Sequence, residues 1–193
     1  MAETMGRDTG PAGAVSIEEW DAATLEAHLE PAATILRLCV LGGASVNFLL
    51  PFGQEDALRF WRSQLPALRS GERHLLVARL DGEPVGTVML TPASQPNQPH
   101  RGEIGKLLVR PDARRLGIAR HLMQAAETLA VSLGRTLLIL DTEEGSPAQT
   151  MYERLGYREA GRIPGYALGN DGKGTIATVL FYKNLAGGDG PRR

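Results

Sequence analysis

The run from Glu103 to Asp141 constrains the fold more than any other part of the chain. EIGKLLV (103–109) reads as a strand, RPDARRLGIAR (110–120) as a turn into a helix, and TLLILD (136–141) as a second strand. Between the strands Ala119, Leu122, Met123, Ala126, Leu129, Ala130 and Leu133 recur in steps of three and four. That spacing predicts one apolar face of a long helix beginning near Asp112. Gly134 is the expected C-cap. Two strands joined through one long helix lie parallel in a sheet, because a crossover of that length returns the chain to the same end. TLLILD is apolar until Asp141, as a strand covered on both faces requires.

The flanking sequence supplies the rest of a mixed α/β domain. AVSIEEW (14–20) predicts a first strand. DAATLEAHLEPAATILRLCVL (21–41) predicts a helix with Asp21 as N-cap, broken or kinked at Pro31. GGASVNF (42–48) is a loop, and 53–68 a further helix with a proline near its end. HLLVARL (74–80) and PVGTVMLTP (84–92) flank Asp81-Gly82, a strong hairpin signal. SPAQTMYERLG (146–156) predicts a short helix with Ser146 at the N-cap and Pro147 at its first position. YREAGRI (157–163) and TIATVLFYK (175–183) complete the sheet, with IPGYALGNDGKG (163–174) as a loop between them.

The 193 residues suit one domain, expected over 14–185, with a disordered tail expected at 1–13 and a flexible, solvated one at 186–193. The first residues lack the apolar core of a signal peptide, and no apolar run reaches the ~18 residues of a membrane span. With Cys39 as the lone cysteine, the expectation is a cytoplasmic protein. Net charge is −1, which speaks against nucleic acid or a membrane surface as partner. No internal repeat occurs, and His28, His74, His100 and His121 show no metal-ligand spacing, so no metal is expected.

RPDARRLGIAR therefore has to use its charge locally. A helix start carries free N–H groups and partial positive charge, and binds anions without special side chains. Gly117 and Ala119 allow a ligand to approach the backbone closely, and Arg114, Arg115 and Arg120 add charge. The combination suits a phosphate or pyrophosphate. Neither the P-loop pattern nor the dinucleotide-binding glycine pattern is present. The plain alternative is a solvated arginine-rich turn, which opposes the helix dipole and so carries a local penalty.

VRPDARRLGIA (109–119) resembles the coenzyme A signature of the GNAT N-acetyltransferases, V-x-P-x-x-R-x-x-G-x-G/A, including the strand before it and the helix after it. AQTMYERLGY (148–157) resembles the second conserved region of that family, A-x-x-L-Y-x-x-x-G-F, although Gly145 stands where the family usually has Asn. Over about residues 40–185, GGASVNF, EIGKLLVRP, LDTEEGS, IPGY and TIATVLFYKNL resemble one branch of the family, which acetylates a β-lactam toxin and confers resistance. The resemblance implies a mostly antiparallel mixed sheet with a central parallel strand pair and flanking helices. It also implies acetyl-CoA as co-substrate and a small-molecule primary amine as acceptor, in a monomer or homodimer.

Such a transfer must hold the thioester, polarise its carbonyl, deprotonate the amine and protonate the leaving thiolate. By the resemblance, the backbone of Arg115, Leu116, Gly117, Ile118, Ala119 and Arg120 cradles the pyrophosphate beside Arg114, and Ser146 joins the coenzyme-binding set. Leu107, Leu108 and Val109 pair with the pantetheine arm as with another strand, and the N–H of Leu107 or Val109 polarises the carbonyl. Tyr152 is the acid for the thiolate; its plain alternative is a core tyrosine. Asp141, at the end of an apolar strand, is the first candidate for the base. Glu103 is the second, placed on the same strand face as Val109 by period two. The acidic DTEEG (141–145) attracts a cationic amine. Asn47, Phe48 and Tyr166, in glycine-rich loops, are candidate walls of the acceptor pocket. Cys39 lies outside every motif, which favours direct transfer over an acyl-cysteine. The competing reading is a non-catalytic acyl-CoA-binding sensor on the same fold.

Overall fold

A computed structural model describes residues 14–185; the two expected tails lie outside the described residues. β1 (Val15–Trp20) leads into two short-coupled helices, α1 (Ala22–Ala27) and α2 (Leu29–Leu41). Asp21 caps α1, its carboxylate accepting the Thr24 N–H at 2.7 Å. The break falls at His28 rather than at Pro31. Pro31 occupies the first turn of α2, where its missing N–H has no helical partner to lose.

After α3 (Gln54–Arg69), which contains Pro66 near its end, come β2 (His74–Leu80), β3 (Glu83–Pro92) and β4 (Arg101–Val109). Asp81 and Gly82 both have positive φ, as a tight turn between twisted strands demands. A 3-10 turn (Pro111–Ala113) precedes α4 (Ile118–Ser132), then β5 (Leu137–Glu143), α5 (Pro147–Arg154), β6 (Arg158–Leu168) and β7 (Thr175–Asn184). The long helix thus starts at Ile118, six residues after Asp112. Arg110 clasps the Asp112 carboxylate at 2.7 and 2.8 Å and holds the turn short of the helix. Gly134, with φ +73, closes α4: its N–H meets the Val131 carbonyl at 2.9 Å, and the Arg135 N–H meets Ala130 at 2.8 Å. β6 runs on to Leu168, so Ile163–Leu168 is strand rather than loop.

The seven strands lie in the order β1-β2-β3-β4-β5-β7-β6. Every neighbouring pair is antiparallel except β4 and β5. Both faces are covered, which explains the near-continuous apolar run of β2. One face buries Leu76, Ala78, Leu90, Ile104 and Leu138 against Leu122, Met123 and Ala126 of α4. The other buries Leu75, Val77, Met89 and Leu108 against α1–α3, with Trp20 and Trp61 at its centre. Trp61 satisfies its indole N–H on the Ala32 carbonyl at 2.9 Å.

Candidate active site

The parallel contact between β4 and β5 is brief: Arg101, Gly102 and Glu103 pair with Leu137, Leu138 and Ile139. Beyond it the strands part. β4 stays with β3 as far as Val109, while β5 stays with β7 as far as Glu143. The sheet therefore opens into a V, and the second half of β4 has a free edge in the middle of the molecule.

A bulge sits at this point. Thr87 pairs with Leu108 and Met89 with Gly105, so Val88 faces both Lys106 and Leu107. Lys106 takes φ +50 to accommodate the extra residue. The bulge reverses the side-chain alternation. Ile104, Leu107 and Val109 pack toward the α4 face, whereas Leu108 packs toward α1–α3. Glu103 precedes the bulge and so faces opposite to Val109, contrary to the period-two expectation.

Backbone directions follow from two contacts. The Arg110 N–H donates to Val85 at 2.8 Å, and the Leu108 carbonyl lies so close to β3 that a Cβ on Gly86 would stand 2.8 Å from it. Leu108 thus spends its backbone on β3. Alternation turns the Val109 N–H to the open edge, and Leu107 shares its parity. The Val109 carbonyl is already engaged, accepting from Cys39 Sγ at 3.3 Å and Arg114 Nε at 3.2 Å. The free edge therefore offers a donor at Val109 rather than an acceptor.

Immediately beyond lies the start of α4. Arg115 and Gly117 have φ +70 and +77, and Gly117 is an N-cap with no side-chain hydrogen bond. The first N–H groups of the helix, on Ile118, Ala119 and Arg120, thus have no cap. Arg114, Arg115, Leu116 and Arg120 are exposed around them. This cradle lies at the mouth of the V and fits an anionic group continuous with a chain laid along β4.

Asp141 stands across the opening. It lies within β5, two residues before the strand ends, and its carboxylate accepts the Thr178 hydroxyl at 3.1 Å. A small open pocket is lined there by Ser45, Asn47, Asp141, Glu143, Tyr166 and Thr178. Asn47 and Tyr166 come together with Asp141 as candidate pocket walls. Phe48 does not line this pocket; it packs on Phe52 and Phe60, with ring centroids 4.7 and 5.3 Å away. Glu103 lines a separate depression with Thr91 and Gln95.

Tyr152 projects from α5 into the core, 6% exposed, against Tyr157 and Phe181. Burial first, and the Asp141 carboxylate second, push its phenol well above the ordinary tyrosine value. Ser146 caps α5, its Oγ 3.0 Å from Thr142 Oγ1 and 3.4 Å from the Gln149 N–H. Gly145 has φ +76 and gives its N–H to the Gln149 side chain at 2.9 Å. Its left-handed backbone is one that Asn tolerates better than most residues.

Lys106 carried no signal in the sequence, and Glu143 stood out only as part of the acidic run 141–145. Glu143 enters the pocket because β5 continues past Asp141. Lys106 does not line the pocket; the bulge turns it toward the same side as Glu103, within reach of the Asp141 charge. Burial lowers its ammonium pKa, opposed by the charges of Asp141 and Glu103. Among the described residues no group of three His, Cys, Asp or Glu side chains forms a metal-binding set.

The Acetyltransferase (GNAT) family model matches residues 44–157, more than half of the chain. An N-acetyltransferase of Azospirillum brasilense, encoded in the hisH-hisA intergenic region, is 34% identical over 107 residues. That match covers 54% of this chain and 62% of the relative, so the chain spans under two thirds of its length. Two solved structures share the fold. A candidate acetyltransferase from Salmonella typhimurium, solved with its cofactor acetyl-CoA, superposes with a TM-score of 0.71 at 15% identity, over 92% of this chain and 98% of that one. A candidate phosphinothricin N-acetyltransferase superposes with a TM-score of 0.72 at 19% identity, over 90% and 99%. The extent of the family match, together with the split sheet and the turn into α4, leads to one conclusion: this chain belongs to the Acetyltransferase (GNAT) family.

Proposed function

We propose that residues 14–185 form one acetyltransferase domain. It moves the acetyl group of acetyl-CoA directly to the primary amine of a small, amino-acid-like acceptor, a β-lactam toxin being one such molecule. The observation that carries this reading is the split between β4 and β5. It leaves the Val109 N–H free at the same opening that the uncapped start of α4 and Asp141 border.

In this reading the N–H groups of residues 115–120 hold the pyrophosphate, and the open edge of β4 holds the pantetheine arm. The N–H of Val109, or of Leu107 one pleat earlier, polarises the thioester carbonyl. Asp141 takes the proton from the acceptor ammonium, and Tyr152 gives its proton to the departing thiolate. A phenol held neutral by burial suits the second task. We favour Asp141 over Glu103 as base, because Asp141 shares its pocket with the candidate acceptor walls and Glu103 does not. The two carboxylates of that pocket, Asp141 and Glu143, favour a cationic amine. The lone cysteine, buried and free, suits a cytoplasmic setting.

The test is incubation with acetyl-CoA and a panel of amines: L-phosphinothricin, proteinogenic amino acids, a short peptide with a free N-terminus, and spermidine. Mass spectrometry reads the gain of one acetyl group, and thiol release gives the rate. The expected outcome is acetylation of at least one amino-acid-like member. Acetyl-CoA binding without transfer to any member would favour a non-catalytic acyl-CoA sensor.

A further inference from the structure

The segment from Gly42 to Leu50 lies over the acceptor side and is tied to both arms of the split sheet. On the β4 arm, Lys106 Nζ donates to the Val46 carbonyl at 3.2 Å. Its ammonium stands 5.6 Å from the Phe48 ring centroid and 5.5 Å from that of Phe60. On the β6–β7 arm, Asn170 makes two bonds. Its Nδ2 donates to the Val40 carbonyl at 2.9 Å, and its own carbonyl accepts the Leu50 N–H at 2.9 Å. Between these ties, Ser45 and Asn47 flank Val46 and line the pocket that contains Asp141. Asn47 has φ +71, so the chain turns sharply where it meets the pocket.

Packing alone does not account for Lys106. An aliphatic side chain would fill the space beside two phenylalanines without the cost of taking an ammonium out of water. The ammonium is what reaches Val46, and the aromatic faces offset part of its desolvation. Asn170 likewise accepts the N–H of residue 50 and adds a second donor to the Val40 carbonyl, which already takes the Gly43 N–H at 3.0 Å at the end of α2.

We propose that Lys106 and Asn170 are positioning residues, which hold Gly42–Leu50 as a bridge across the two arms of the sheet and thereby set the wall of the acceptor pocket. This rests on the acetyl-transfer reading of the same site. The bridge governs acceptor fit and leaves coenzyme binding alone, because the cradle at α4 and the edge of β4 do not depend on either tie.

The test uses the full chain with Lys106→Met, Lys106→Arg and Asn170→Asp. The last is isosteric and replaces the Nδ2 donor with an oxygen facing the Val40 carbonyl. Hydrogen exchange of the amides of residues 43–50 is measured alongside acetyl-CoA affinity by calorimetry, with thermal melts to confirm folding. Kinetics use the amine panel as a fixed mixture. In Lys106→Met and Asn170→Asp those amides are expected to exchange about tenfold faster. Acetyl-CoA Kd stays within about twofold, and acceptor KM rises about fivefold or more with kcat little changed. Lys106→Arg, which keeps a donor, recovers part of the protection. Unchanged exchange in both variants overturns the proposal, as does faster exchange with an unchanged acceptor KM. A wild-type protein that binds no acetyl-CoA would overturn the acetyl-transfer reading instead, and the exchange data would still decide whether the bridge exists.

Discussion

In the proposed mechanism Tyr152 and Asp141 divide the proton chemistry through their surroundings. Tyr152 is in the core, and burial holds its phenol neutral; Asp141 faces an open pocket and touches one hydroxyl. Tyr152→Phe keeps the packing against Tyr157 and Phe181 and removes the proton. It should lower kcat by about 10²-fold or more, with acetyl-CoA affinity unchanged. Asp141→Asn should lower kcat similarly, whereas Glu103→Gln should leave most of it. Stopped-flow or steady-state thiol release checks all three, and undiminished turnover in the first two would remove the assignment. A pH dependence of stability follows as well. A phenol whose pKa is raised on folding contributes fully below its unfolded value of about 10, and that contribution is lost as pH rises above it. Burial raises both Tyr152 and Tyr157. The melting temperature should therefore be flat in this respect through neutral pH and fall above about 10, with a shallower fall in Tyr152→Phe.

At the scale of elements, the proposed coenzyme site falls on β4 and the start of α4. β4 is a strand with two halves: one paired on both sides, the other bulged and open toward β5. Its approach to β3 is tight at Gly86, where a Cβ would meet the Leu108 carbonyl at 2.8 Å and Leu122 at 3.1 Å. Gly86→Ala should cost about 1–3 kcal/mol by overpacking, read from the denaturation midpoint. It should also weaken acetyl-CoA binding, because the strain falls on the strand that carries Val109. Gly117 differs: a Cβ there has open space, meeting only His121 at 4.0 Å. What glycine supplies is φ +77 at the helix start. Gly117→Leu should cost about 1–2 kcal/mol in backbone strain. It should weaken acetyl-CoA binding about tenfold or more through the bulk placed beside the free N–H groups, more than Arg115→Ala or Arg120→Ala does. Equal coenzyme affinity in Gly117→Leu, measured by calorimetry, would sink that reading.

For the whole molecule, the coenzyme is expected to act as a staple across the V. It would bridge β4 and α4 in the folded state and find no such surface in the unfolded chain. At a concentration 100 times Kd, acetyl-CoA should add about 2.7 kcal/mol of stability. For a domain of this size that is about 5–10 °C in Tm. A melt unchanged by saturating acetyl-CoA would contradict the coenzyme site. Lys106→Met and Asn170→Asp should keep that shift, since their ties lie on the acceptor side.

The order of elements was legible in the sequence because it rests on local signals. The steps of three and four in α4, Asp81-Gly82 in the hairpin, Asp21 and Ser146 as caps, and Gly134 as a helix end each act within a few residues. The parallel pair and the glycine-led start of α4 were legible for the same reason. Helix α4 beginning at Ile118, the break at His28, and β6 running to Leu168 were less so, because competing local contacts and a partner strand fix those limits. The reversal of faces at Lys106 was hidden altogether. A bulge depends on how β3 and β4 fit together, and one extra residue turns Glu103 away from the side of Val109 and brings Lys106 to the acceptor side. Phe48 packing on Phe60 of α3 likewise depends on residues far apart in the chain. The sequence alone determined which segments fold and where a glycine opens the start of α4. Only the tertiary structure decided which side chains face one another across the split, since that rests on strand register and packing between residues far apart in the chain.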